Sequence, residues 1–404
     1  MKADQLEIND YNYNLPDDRI ARFPLPNRDD SKLLTYSNKS ISDNLFNQLP
    51  SLLPENSIAI FNVTKVVPAR LIFKKRTGAH IEIFCLEPSD PSEYNSSFAS
   101  RSRCIWLAVV GNAKKWKGGK VFFESSDNEI VDKISLTAEI VEKLNDKFVI
   151  LFEWLGDLSF SEVMDICGKV PIPPYLKRDV VASDKERYQT LYARDEGSVA
   201  APTAGLHFTD NIMSSIEKRG ILLDELSLHV GAGTFIPVKD NDIYNHNMHS
   251  EPFSIKRESI EKILEFHTVK RPIIAVGTTT TRTLESLYYF GLQCIHKGAP
   301  YFVEQWEPYN SNFDISVEDS LTALIEWMKS NEISVLERKT EIIIIPGFEF
   351  KLVDILITNF HQPKSTLLLL ISAFIGNEWR TIYNHALQND YRFLSYGDSS
   401  LLFR

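Results

Sequence analysis

PIIAVGTTTTRTLESLYY, residues 272–289, opens with an apolar run behind a proline, crosses one glycine and four consecutive threonines, and continues as a helical pattern. Pro272–Val276 reads as a buried strand, Gly277–Thr281 as a hydroxyl-rich turn, and the remainder as a helix through Tyr289. A strand running straight into a helix is the repeating unit of an α/β fold. The same alternation extends outward on both sides. Upstream, Ser57–Val63 reads as a buried strand. Thr209 is placed to cap a helix through Arg219, with Gly220 as its C′ residue. Ile221–Val230 then forms a strand that runs into Gly231-Ala232-Gly233-Thr234. Downstream, Glu341–Ile345 and Leu352–Thr358 read as strands, and Ser365 or Thr366 caps an almost wholly apolar helix, Leu367–Ile375. These elements predict a three-layer α/β/α sandwich on a largely parallel sheet.

One part of the chain breaks the alternation. From Ala69 to Trp154 short strands follow one another without a long helix: Ile81, Ile83 and Cys85 alternate with polar neighbours, and further strands read at 105–110, 120–124, 136–141 and 147–154. Turns at Gly111-Asn112 and Lys117-Gly118-Gly119 separate them. That pattern predicts a small β-barrel inserted into the sandwich. The expected organisation is a first α/β part over 1–68, a barrel over 69–157 and the main α/β part over 158–404.

The bulk composition narrows the class. The chain of 404 residues is long for one core, and its 43% hydrophobic and 24% charged residues are those of an ordinary globular protein. MKADQLEINDYNY carries no apolar signal core, no apolar run is long enough for a bilayer, and four scattered cysteines lack metal or disulfide spacing. A cytoplasmic protein is expected. The net charge of −10 does not favour a polyanion partner, yet the basic residues cluster: Lys74-Lys75-Arg76, Lys114-Lys115 with Lys117, and Lys177-Arg178. A local basic patch can grip phosphates whatever the global sign; such runs are otherwise solvated faces.

Several side chains have chemistry to offer. The free N–H groups at the start of the 278–289 helix suit an anion or ribose hydroxyls, and Arg282 in its first turns suits a carboxylate or phosphate. The alternative is an N-cap with stacked hydroxyls. His246-x-x-His249-x-Glu251 invites comparison with metal ligands, but a third ligand would have to come from far away. Asn359-Phe360-His361, followed by Lys364, ends a strand and converges on the same sheet edge as Thr278–Thr281. Residues 186–209, ERYQTLYARDEGSVAAPTAGLHFT, string small residues before His207, either as a tight interior crossing or as a backbone that approaches a ligand.

That last stretch resembles the signature of the S-adenosylmethionine:tRNA ribosyltransferase-isomerases of queuosine biosynthesis. So, in the family's order, do DYNYNLPDDRIARFPLPNRDDSKLL near the start, PIPPYLKR at 171–178, LHVGAGTFIPV at 228–238 and NMHSE at 247–251. AVGTTTTRTLES at 275–286, ITNFHQPKSTLLLLISAF at 357–374 and YRFLSYGD at 391–398 complete the set. The resemblance implies transfer and isomerisation of the ribosyl part of S-adenosylmethionine onto 7-aminomethyl-7-deazaguanine at the tRNA wobble position. The product is epoxyqueuosine, and adenine and methionine leave. It implies S-adenosylmethionine as co-substrate, no metal, tRNA as partner and no membrane. The chemistry needs a base for the proton beside the sulfonium, worth roughly 10²–10⁴ in rate. His207 or His229 is expected in that role, with Glu251 second. Tyr175, Arg187, Tyr188, Thr203 and Gly205 are expected to approach substrate, as are Gly231, Gly233, Thr234 and His249. Thr278, Thr279 and Arg282 would hold an anionic group, and Asn359, His361 and Lys364 would lie near the leaving group or RNA. The lysine and arginine clusters would contact the tRNA backbone.

The chain departs from the family pattern at Val63 and Lys65, where Asp and Arg are usual, at Ile236, where Arg is common, and at Ser399-Ser400. Residues 300–340 look like an insertion of about thirty residues with one amphipathic helix. These departures admit a diverged relative with another substrate, or a binder without catalysis. A dehydrogenase-like nucleotide enzyme would need a Gly-x-Gly-x-x-Gly after a first strand, which is missing.

Overall fold

The computed structural model describes residues 6–125, 129, 133–145, 147–231, 242–310 and 314–404. A 10-stranded sheet forms its middle layer. Its central strands, in the order Leu222–Leu228, Ile58–Asn62, Ile273–Val276 and Ile355–Asn359, are mutually parallel. Antiparallel pairs appear toward both edges. Ser399–Phe403 runs against Ile355–Asn359 and alongside Lys32–Ser37, which turns back as Ser40–Leu45. On the other side Glu251–Lys256, Val335–Thr340 and the short Phe302–Val303 complete the sheet.

The side-chain alternation of each central strand divides two cores. Ile58 and Ile60 face one and Ala59 and Phe61 the other; Ile273 and Ala275 against Ile274 and Val276 repeat the split. The first core is roofed by the helices Arg257–Thr268, Thr278–Lys297, Val317–Ser330, Thr366–Ile375 and Trp379–Gln388. The second is closed by Asp210–Lys218, Leu49–Leu52 and the 3-10 turn Thr203–His207. Three layers result, as the alternating pattern predicts. Thr209 does cap Asp210–Lys218, its hydroxyl accepting from the Ile212 amide, and Ser365 caps Thr366–Ile375 in the same way.

Between Ile58–Asn62 and Leu222–Leu228 the chain builds a closed six-stranded antiparallel barrel. Its strands run in the order Lys147–Glu153, Arg103–Gly111, His80–Asp90, Arg70–Lys74, Val121–Phe123, Thr137–Leu144. Phe73, Ile81, Ile83, Trp106 and Phe152 fill it, and Phe160 and Met164 plug the end nearer the sandwich.

One expectation needs correction. Ile342–Ile345 is buried but forms no strand; the strand lies just before it, at Val335–Thr340. The segment 300–340 carries the expected amphipathic helix, Val317–Ser330, which packs on Arg257–Thr268 and Thr278–Lys297, and it also supplies two strands at that edge of the sheet. Among the described residues no helix is long and apolar enough to cross a membrane.

Candidate active site

The parallel strands end together, and a narrow cavity opens beyond their carboxyl ends, where ligands sit in open α/β sheets. Val230, Gly277 and Thr358–Gln362 supply its floor, Ala200–Ala204 one wall, and Tyr175, Tyr188, Leu394 and Ser395 the other. Gly277 has φ +96°, a conformation that leaves the strand at an angle no L side chain adopts cheaply, and it starts the helix Thr278–Lys297. The Thr280 and Thr281 hydroxyls bond back to the carbonyls of Val276 and Gly277, at 2.7 and 3.1 Å. Thr278 and Thr279 line the cavity instead, beside the open amides of the first helical turn.

His361 stands in this cavity. Its Nε2 is 2.9 Å from the Thr358 hydroxyl, its amide donates to the Tyr383 hydroxyl at 3.0 Å, and its carbonyl accepts from Tyr13. Burial pulls its pKa down to about 3, so the ring is neutral at pH 7. The Tyr175 hydroxyl meets Ser395 Oγ, and the buried Tyr188 hydroxyl lies beside Ser395 and the Ala201 backbone. Thus Tyr175, Tyr188, Thr203, Thr278, Thr279, Asn359 and His361, drawn from distant segments, share one space.

Other expected residues lie elsewhere. His207 sits behind the cavity wall, 4% exposed, with Nδ1 2.9 Å from Ser31 Oγ and Nε2 3.2 Å from Asn359 Nδ2. Burial lowers its pKa to about 3, against the Arg28 carbonyl, which favours the charged ring. His229 faces away from the cavity, stacked on Tyr94 with centroids 4.5 Å apart, and burial lowers it to about 4. It belongs to a wider groove of about 930 Å³ between barrel and sheet edge, bordered by Asp195, Glu196 and Arg338. The groove is the larger concavity, against about 100 Å³ for the cavity at the strand ends. Seven of the expected substrate residues nevertheless converge on the smaller one, which makes it the candidate site on chemistry rather than volume.

Glu251 and Arg282 pair with each other, both nearly buried. Burial raises the Glu251 carboxyl, and Arg282 opposes it. Arg282 Nε also donates to the Ile342 carbonyl at 3.0 Å, leaving one terminal nitrogen without a partner among the described residues. Its charge is therefore already met by the fold. Arg187 donates to the carbonyls of Leu25 and Pro26, Gly205 packs against the Tyr192 hydroxyl, and the Lys364 amide bonds to Tyr11. None of these lines the cavity, nor do Gly231 and His249. Gly233, Thr234 and Ile236 lie outside the described residues. Val63 is buried and Lys65 pairs with Glu196 at 2.9 Å, so both departures are absorbed by packing away from the cavity.

The basic residues divide. Lys74, Lys75, Arg76, Lys114, Lys115 and Lys117 gather at the barrel end remote from the sandwich, joined by Lys75 Nζ donating to the Lys115 carbonyl at 2.9 Å. Lys74 is paired with Glu124, and Arg76 lies over Phe122. Lys177 pairs with Asp17. Arg178, with only 9% of its side chain exposed, is held by both oxygens of Asp184 and serves the fold rather than a phosphate. Tyr13, Ser31, Thr358 and Ser395, which hold the site residues in place, lie within the family-like blocks but are not singled out there, and Tyr383 lies outside them. Only position in the fold reveals them.

Residues 8–402 match the protein family described as queuosine biosynthesis protein. The S-adenosylmethionine:tRNA ribosyltransferase-isomerase of Halothermothrix orenii is 37% identical, over 98% of this chain and 100% of its own. That of Thermosipho melanesiensis is 36% identical over 98% and 100%. The crystal structure of S-adenosylmethionine tRNA ribosyltransferase from Thermotoga maritima is 26% identical, covers 97% of this chain and 99% of its own, and superposes with a TM-score of 0.47.

Proposed function

Because the chain belongs to the queuosine biosynthesis protein family, we propose that it is an S-adenosylmethionine:tRNA ribosyltransferase-isomerase whose nucleoside substrate occupies the cavity beside Gly277 and Asn359. The observation that carries this reading is the convergence of Tyr175, Tyr188, Thr203, Thr278, Thr279, Asn359 and His361 on one space. The reaction proposed is transfer of the S-adenosylmethionine ribosyl group to the aminomethyl group of a 7-deazaguanine at the tRNA wobble position. Its products are epoxyqueuosine-tRNA, adenine and methionine. It takes place in the cytoplasm, with S-adenosylmethionine as co-substrate and no further cofactor.

Each wall has a part suited to that substrate. The open amides before Thr281 and the hydroxyls of Thr278 and Thr279 suit a carboxylate or ribose hydroxyls. The rings of Tyr175 and Tyr188 suit a sulfonium, which aromatic faces attract. Of the three histidines only His361 lines the cavity, and this position favours it over His207 and His229 as proton acceptor; burial keeps its ring neutral and lowers its basicity. A space of about 100 Å³ is below the roughly 300 Å³ of ordinary ligand sites, so substrate entry displaces part of the lining. The basic barrel end supplies phosphate contacts.

The test is to incubate the protein with S-adenosylmethionine and tRNA carrying the 7-aminomethyl-7-deazaguanine, and to follow adenine release and the mass gained by the nucleoside. His361→Ala is expected to lower turnover about 10²–10⁴-fold, the contribution of a general base. Wild-type rates in a folded His361→Ala protein remove His361 from that role. Absence of adenine release from the wild-type chain overturns the functional reading.

A further inference from the structure

Resting on that reading of the cavity, we infer that His207 is a positioning residue: it holds the Asn359 carboxamide so that Oδ1 accepts a hydrogen bond from an O–H or N–H of the bound nucleoside. Asn359 closes the strand Ile355–Asn359 and lines the cavity. Its Nδ2 is engaged by His207 Nε2 at 3.2 Å, whereas its Oδ1 is buried and has no hydrogen-bond partner among the described residues. The two arms of a planar carboxamide diverge, so the oxygen is turned away from His207. Buried side-chain acceptors are nearly always satisfied, and one left open on a residue that lines the cavity points to a donor that arrives with a ligand.

The ring fixes which way the amide faces. Ser31 Oγ lies 2.9 Å from His207 Nδ1, and the Arg28 carbonyl, three residues before Ser31, also acts on the ring as an acceptor. A neutral imidazole has one N–H. With that hydrogen on the Ser31 side, Nε2 carries the lone pair, and only the carboxamide nitrogen can donate to it. A charged ring would have donors on both sides and would turn the amide over, presenting NH₂ to the cavity. Burial holds the ring neutral across the working pH range.

Steady-state adenine release, with KM for S-adenosylmethionine and for tRNA measured separately, tests the assignment. In His207→Gln the side-chain amide can still accept from Asn359 and donate to Ser31, so kcat is expected to stay within about tenfold of wild type. A base at this position would lose about 10²–10⁴-fold. Asn359→Ala is expected to raise KM for S-adenosylmethionine about tenfold, the effect of a missing hydrogen bond, and to leave KM for tRNA unmoved. His207→Ala should do the same, and the double variant should be no worse than either single one, because both remove the same interaction. Loss of kcat in His207→Gln by the factor a base would contribute, or additive KM effects in the double variant, overturns the assignment. If His207→Ala does not fold, the comparison of His207→Gln with Asn359→Ala decides it. A wild-type chain that releases no adenine overturns the functional reading and this assignment together; a working wild type with either contrary result overturns the assignment alone.

Discussion

His207, His229 and His361 are all kept neutral by burial, with pKa values lowered to about 3, 4 and 3. In the unfolded chain a histidine titrates near 6.5, so between that value and about 4 the unfolded state binds protons that the folded state refuses. Their contribution to stability is complete above about pH 6.5 and is lost as the pH falls, by about 1.4 kcal/mol per unit for each ring. Glu251 and Glu285, raised by burial, act in the opposite sense just above the ordinary carboxylate range. A variant isolates the histidine part. Urea unfolding of His207→Gln between pH 6.5 and 5 should show a pH slope smaller by about 1.4 kcal/mol per unit than wild type; equal slopes would show that the ring is protonated in the fold. The residue type and its stretch were legible in sequence. The orientation of His207 toward Ser31 and Asn359 was not, because residues 31, 207 and 359 meet only when the sheet is assembled.

Elements were read best where periodicity and end signals agreed. The strand and helix around Gly277, the capped helix after Thr209 and five of the six barrel strands lie within a few residues of expectation; the sixth, Arg70–Lys74, is not among the strands read from sequence. Ile342–Ile345 shows the limit. An apolar run has the composition of a buried strand, but here several of its polar backbone groups are met by side chains. The Ile342 amide goes to Thr340 Oγ1, the Ile345 amide to Tyr309 Oη, and the Ile343 carbonyl accepts from Tyr309. Burial without a ladder looks the same as burial within one. The packing of Val317–Ser330 on Thr278–Lys297 was equally hidden. At Gly291 an added Cβ would stand 2.1 Å from the Ser320 carbonyl. Gly291→Ala is therefore expected to destabilise the fold by about 1–3 kcal/mol, as overpacking does, while each folded molecule keeps its adenine-release rate. Urea denaturation measures the first and activity per folded protein the second. Unchanged stability would mean that the helices separate easily.

At the scale of the molecule, charge is spread unevenly. The chain carries a net −10, yet Lys114 and Lys117 have no acidic partner among the described residues and stand with Lys74, Lys75, Arg76 and Lys115 at one barrel end. A tRNA gripped there would be held mainly through phosphates. Reversing Lys114 and Lys117 to Glu should raise KM for tRNA several-fold and leave KM for S-adenosylmethionine unchanged. The salt dependence of tRNA binding should become shallower, by about one unit of slope for each phosphate no longer neutralised. An unchanged KM for tRNA would place the RNA on another face. Sequence alone exposed the clusters. It could not separate Arg178, sequestered by Asp184, from lysines that face water, because adjacent basic residues look alike until their partners are known.

The central claim is that the nucleoside binds at the carboxyl ends of the parallel strands and not in the wider groove beside the barrel. Ultraviolet crosslinking of labelled S-adenosylmethionine to the protein, followed by peptide mapping, tests it most directly. Label is expected on peptides carrying Tyr175 and Tyr188, residues 200–204, or residues 358–362, all of which border the cavity. Label confined to peptides around Tyr94, His229 and Arg338 would place the substrate in the groove and contradict it.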